Sequence, residues 1–260
     1  MSDNCITLAV CDQIATLTLN RPERLNACAT DMADAIASAL HALGDARVLV
    51  ITGAGRAFCA GADLQAVAGA SIAGGDLSHA ALNTHFNPMM RRLAALNLPV
   101  ISAVNGAAAG IGCSIALAAD FVIAAQSAYF LQAFINIGLV PDGGASWTLP
   151  RLIGKSRATE MMMLGEKISA EKAAEWGLIY KTVADDQLAP AVLALATRLA
   201  AMPTVALGLM RQNIAAAAES TYALTLSLEA ESQRIAGNSN DAHEGRTAFL
   251  AKRKPTFTGR

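Results

Sequence analysis

Charge and aromatic side chains are scarce in this chain. Asp, Glu, Lys and Arg make up 16% of its 260 residues, Phe, Trp and Tyr 5%, and the net charge is −1. So balanced a chain offers no basic footprint for nucleic acid. Its cysteines, at 5, 11, 28, 59 and 113, form no Cys-x-x-Cys pair. An odd, scattered set points to reduced thiols and a cytoplasmic setting. The histidines, at 41, 79, 85 and 243, have no His-Glu-x-x-His spacing, so no metal site is expected. Gly154-Lys155-Ser156 ends like a phosphate loop, but Leu149 stands where its first glycine belongs. No Gly-x-Ser-x-Gly elbow occurs. No apolar run reaches the ~18 residues of a membrane span, and no basic, then apolar, leader opens the sequence.

Apolar residues are plentiful, at 53%. That allows a large core and further surface to bury between subunits. Thr7–Val10 and Ile14–Leu19 alternate around Asp12-Gln13 and predict a hairpin. Helical spacing follows over Asp31–Leu43, with Met32, Ile36, Leu40 and Leu43 on one face. The Gly-rich segment Ala66–Ser78 is the expected mobile part, and Ala80–Leu98 reads as a helix bent near Pro88. Later helices are expected over Lys155–Leu164, over Ser169–Trp176 with Ser169 as cap, and over Leu188–Ala201, Pro203–Ala218, Thr221–Ala236 and Asp241–Lys252. Leu178–Val183 reads as a strand. The chain is thus mixed α/β to about Val183 and nearly all helical beyond it. We divide it into a core, residues 1–195, and a helical region, residues 196–260.

Two stretches stand out. Val48–Thr52 reads as a buried strand running into the small-residue stretch Gly53–Leu64. Pro99–Val104 reads as another, running through Asn105-Gly106 into Ala107–Ser114 and a buried helix ending near Asp120. Each is strand, small-residue turn, helix start. A helix start presents unsatisfied N–H groups, and small residues let a ligand approach them. Two such turns can hold one developing oxyanion, although tight helix–strand packing requires small residues as well.

Taken together, Asn20–Ala27, Ala57–Leu64, Pro99–Asp120, Gly138–Gly144 and Ala248–Phe257 resemble the crotonase (enoyl-CoA hydratase/isomerase) superfamily over nearly the whole chain. The resemblance implies an α/β fold, a spiral of ββα units with a C-terminal helical oligomerisation region, and a homotrimer or dimer of trimers. It implies a coenzyme A thioester substrate and no other cofactor. It places the thioester oxygen on the N–H groups of Ala62 and Ile111, where two donors supply roughly 3–4 kcal/mol each. It sets the coenzyme A moiety against Ala60, Ala62, Asp63 and Leu64. Phe249 and Lys252 of a neighbouring subunit lie near the adenine and phosphates in the same scheme. For Phe249 plain subunit packing, and for Lys252 a solvated charge, are the competing readings.

The departures from the family pattern decide the reaction. The two glutamates with which the hydratases hold water fall at Ser114 and Phe134 here, and neither side chain can act as a general base. Asp142, in Pro141-Asp142-Gly143-Gly144, stands where several isomerases of the family keep a proton-shuttling acid. Phe134, Leu139 and Trp147 are the expected apolar wall that raises its pKa. Asp142 could instead cap the helix beginning at Gly143-Gly144. Asp63 is a rival acid better placed as a cap. The expected activity is therefore isomerisation, by double-bond shift or epoxide-ring opening. The alternatives are a hydratase or lyase, and an acyl-CoA-binding protein without activity.

Overall fold

The computed structural model describes residues 5–63 and 74–260. The predicted hairpin is β1 (Ile6–Cys11) and β2 (Ile14–Leu19), paired from Ile6↔Leu19 to Cys11↔Ile14. Then follow α1 (Thr30–Ala39), β3 (Val48–Gly53), β4 (Ala57–Cys59), α2 (Gly74–Ala81), a wider π-turn at Leu82–Phe86 and α3 (Asn87–Ala94). Next come β5 (Val100–Val104), β6 (Ala107–Ala109), α4 (Ile111–Leu117), β7 (Phe121–Ala125) and β8 (Tyr129–Leu131). A short 3-10 helix, Ala133–Ile137, leads to α5 (Ala145–Leu164). The chain continues through β9 (Ile168–Ser169), α6 (Ala170–Glu175), β10 (Lys181–Val183), α7 (Leu188–Ala200), α8 (Thr204–Ala217), α9 (Tyr222–Gly237) and α10 (Asn240–Leu250).

The strands make a six-stranded sheet, β1-β2-β3-β5-β7-β10, and a four-stranded sheet, β4-β6-β8-β9. From β2 onward the larger sheet is parallel. Its central strands are apolar on both faces because both are covered: Val48 to Ile51 and Val100 to Val104 are buried without a break. Three successive units, starting at β3, β5 and β7, each place their first strand in the larger sheet, their second in the smaller, and then turn into helix. That repeated ββα winding is the one the resemblance implies.

Several expectations change. Ala57–Cys59 and Ala107–Ala109, read as turns, are strands of the smaller sheet. Of the segment expected to be mobile, residues 66–73 lie outside the described residues, and from Gly74 the chain is helical. The π-turn precedes Pro88, whose missing N–H breaks the regular ladder there. The helix read from Lys155 starts ten residues earlier and kinks at Gly154. The strand read over Leu178–Val183 begins only at Lys181. The expected boundary after residue 195 falls inside α7, whose Val192, Ala196 and Leu199 are all core residues.

Candidate active site

The smaller sheet brings the two small-residue turns together. β4 and β6 are parallel neighbours, with Ala57 opposite Ala107 and Cys59 opposite Ala108, so their turns leave the same end of the sheet. A Cβ on Gly61 would lie 3.2 Å from the Ala109 carbonyl oxygen, and one on Gly110 would lie 3.7 Å from Gly61 Cα. Gly110, at φ 52° and ψ −127°, reverses the chain from β6 into α4, a conformation glycine adopts without strain. Ile111 is the first residue of α4, so its N–H has no carbonyl within the helix. The isolated bridge between Cys28 and Ala62 uses the Gly61 carbonyl and the Asp63 N–H, not the N–H of Ala62. Ala62 is exposed. The Ile111 side chain is buried and turned toward Gly143.

The early loop supports the first turn. Asn26 is fully buried at φ 56°. Its amide donates to the carbonyls of Ala54 (2.9 Å) and Ala57 (2.8 Å), and its Oδ1 accepts from Arg21 N (2.8 Å). Ala60 N donates to Leu25 O at 3.0 Å. Asp63 is buried and ion-paired with Arg24 at 2.8 Å. Leu64 lies outside the described residues. Sequence reasoning did not single out Asn26. The available signal was an asparagine in a short loop, the residue type that tolerates left-handed backbone and bonds nearby carbonyls.

The loop that carries Asp142 lies against the first turn of α4, at Ile111 and Ser114. The 3-10 helix ends at Gly138, Leu139 N donates back to Phe134 O (2.9 Å), and the chain then descends onto α4. Ser114 Oγ donates to the Asp142 carbonyl oxygen at 3.0 Å, and Ala145 N donates to the same oxygen at 3.2 Å. The Asp142 side chain is half-buried, and its Oδ1 is wholly buried without a hydrogen-bond partner. Burial pushes its pKa up to about 6. α5 starts from Gly144 with no side-chain cap, so Asp142 does not cap it.

Of the three expected wall residues only Phe134 is buried. Its ring lies 3.6 Å from where a Gly110 Cβ would be. Leu139 is 47% and Trp147 39% exposed, and Arg151 lies over the Trp147 ring at 4.2 Å. Ser114 is buried with its hydroxyl directed at the Asp142 carbonyl. Phe249, 83% exposed, lies in the last turn of α10, which packs on α9, and the exposed Lys252 lies two residues beyond that helix. Among the described residues no cluster of His, Cys, Asp or Glu could hold a metal, and no single helix is long and apolar enough to cross a membrane.

Paired ββα turns at one sheet end, with the Asp142 loop packed against the first turn of the helix that follows the second, define a crotonase-type enzyme fold. The enoyl-CoA hydratase/isomerase family model matches residues 10–260, and the chain belongs to that family. It is 47% identical to 1,2-epoxyphenylacetyl-CoA isomerase of Escherichia coli over 250 residues, 95% of each chain. It is 44% identical to a probable enoyl-CoA hydratase of Rhodobacter capsulatus over 261 residues, 100% of each. The crystal structure of enoyl-CoA hydratase from Bacillus anthracis superimposes with a TM-score of 0.92 at 30% identity, covering 98% of this chain and 100% of that one.

Proposed function

We propose that the protein is an acyl-CoA isomerase that shifts a double bond, or opens a ring epoxide, in a coenzyme A thioester. The observation that carries this reading is Asp142: a half-buried carboxylate with one unpartnered oxygen and a pKa near 6. Such a group is mostly ionised at neutral pH yet close enough to its pKa to take a proton and return it. The name of the 47% identical relative supports the reading. So does the replacement of the hydratases' water-holding acids by Ser114 and Phe134.

The thioester oxygen accepts from Ala62 N–H and Ile111 N–H. With a β,γ-enoyl thioester, Asp142 takes the α-proton and the electrons of that C–H bond delocalise onto the thioester oxygen as a dienolate. The two N–H donors hold that charge. The protonated Asp142 then delivers the proton to the γ-carbon, leaving the double bond between the α- and β-carbons. With an epoxide substrate the carboxyl group assists ring opening instead. The coenzyme A moiety runs over Ala60 and Asp63, with Phe249 and Lys252 supplied by a neighbouring subunit of a homotrimer or a pair of trimers.

Hydration is the second reading, because the Rhodobacter relative is named a hydratase. One assay separates the two. A panel of β,γ-enoyl-CoA thioesters should be conjugated by the wild type, and Asp142→Asn should lower kcat by roughly 10²–10⁴-fold with little change in thioester affinity. Crotonyl-CoA should lose almost no enoyl absorbance. Hydration with kcat on the order of 10 s⁻¹ or more would overturn the isomerase reading in favour of the hydratase one. A panel bound but left unchanged would favour a binding protein.

A further inference from the structure

We propose that Ser114 is a positioning residue that sets the Asp142 carboxylate at its working distance from the Ile111 N–H; the inference rests on the isomerase reading and deepens it. Ile111 and Ser114 stand three residues apart on α4, on one face of its first turn. Both touch the loop that carries Asp142. Gly143, at φ 61°, lies so close to that face that a Cβ there would meet Ile111 Cδ1 at 2.5 Å, Ser114 Cβ at 2.7 Å and Ser114 Oγ at 3.0 Å. Ser114 Oγ–H closes the contact by donating to the Asp142 carbonyl at 3.0 Å. That carbonyl also accepts from Ala145 N, so one oxygen joins α4 to the entry of α5.

The carboxylate itself has no comparable anchor. Its Oδ1 is buried with no partner, and burial is the only influence that shifts its pKa; no charged group among the described residues contributes. Its place over the acyl chain therefore depends on the backbone beneath it, and the Ser114 hydroxyl is the side-chain bond that holds that backbone. A misplacement of about 1 Å between reacting groups costs on the order of 10²-fold in rate. A looser loop also admits water to the carboxylate and lowers its pKa toward the ordinary carboxylate range.

The experiment compares wild type, Ser114→Ala, Ser114→Thr and Asp142→Asn in two readouts: kcat and KM for isomerisation across pH, and direct titration of the Asp142 carboxyl by carbon NMR. Ser114→Ala should lower kcat by roughly 10–100-fold with KM nearly unchanged. It should also move both the acid limb of the kcat profile and the Asp142 titration below pH 6. Ser114→Thr keeps the donor and should recover most of kcat. If Ser114→Ala does not fold, Ser114→Cys, a weaker donor of similar size, carries the same comparison. Unchanged kcat and unchanged Asp142 titration in Ser114→Ala would overturn the proposal. The titration does not need turnover, so it tests the placement of Asp142 separately from the isomerase reading, which stands or falls with Asp142→Asn.

Discussion

Asp142 stores its reactivity as a cost to the fold. Burial raises its pKa from 3.8 to about 6, so the folded state holds the proton more tightly than the unfolded chain does. The sign follows. The stability linked to this group is fully present below pH 3.8 and is lost as pH rises through about 6. Asp142→Asn cannot ionise. It should therefore be more stable than wild type above pH 7, by on the order of 1–2 kcal/mol, the ~3 kcal/mol of a two-unit shift discounted for partial solvent exposure. Below pH 4 the difference should vanish. Thermal melts of both proteins at pH 3.5 and pH 8 measure it, and a stabilisation of equal size at both pH values would show that ionisation is not its cause.

Among the elements, the loop between β2 and α1 and the first turn of α4 are what bring the site together. The loop's contribution passes through Asn26, which donates to the carbonyl of Ala54 in the β3–β4 connection and to that of Ala57 at the start of β4 from a fully buried position. Asn26→Ala leaves those carbonyls short of donors and puts a Cβ-bearing residue without a compensating side-chain bond at φ 56°. We expect a loss of about 2–4 kcal/mol, read as a lower urea midpoint at unchanged m-value. Asn26→Gly should recover roughly 1 kcal/mol of it, the part due to backbone strain. On the far side, the half-buried Arg211 guanidinium of α8 ties the core together: it pairs with Asp120 at 2.8 Å and donates to the carbonyls of Leu93 and Leu96. α8 is thereby fixed to the end of α3 rather than merely lying on it.

On the scale of the whole molecule, apolar surface is left uncovered. Ile214, Tyr222, Phe249 and Leu250 are each at least 75% exposed, and Met210 and Leu226 line a groove between α8 and α9. Large apolar side chains exposed in such number on one helical region mark surface that a partner covers. We therefore expect the helical third of the chain to be covered by further copies of itself, and sedimentation at micromolar concentration to give a trimer or a multiple of it. A stable monomer would refute this. The tail beyond α10 is tied down within the single chain: Asp241 accepts from Thr258 N (2.6 Å) and Gly259 N (2.8 Å), and the buried Arg47 donates to the Phe257 carbonyl (3.0 Å).

The sequence alone determined what depends on long local patterns. The strands at Val48–Thr52 and Pro99–Val104 announce themselves because a parallel strand covered on both faces reads as a nearly continuous apolar run, interrupted here only by Ser102 and the terminal Thr52. The cap at Ser169 was legible because its hydroxyl acts three residues away, on Lys172 N. The two turns were legible as strand, small-residue turn and helix start, and Asp142 only through the resemblance. The tertiary structure decided the rest. β4, β6 and β8 are three residues each, too short for any periodicity, and they are strands because they pair with one another. The role of the Ser114 hydroxyl follows from a partner 28 residues away. The exposure of Leu139 and Trp147, and the raised pKa of Asp142, are set by how much water reaches them. That is a property of the packed chain, because desolvation depends on which neighbours the fold brings near and not on which residues adjoin in sequence.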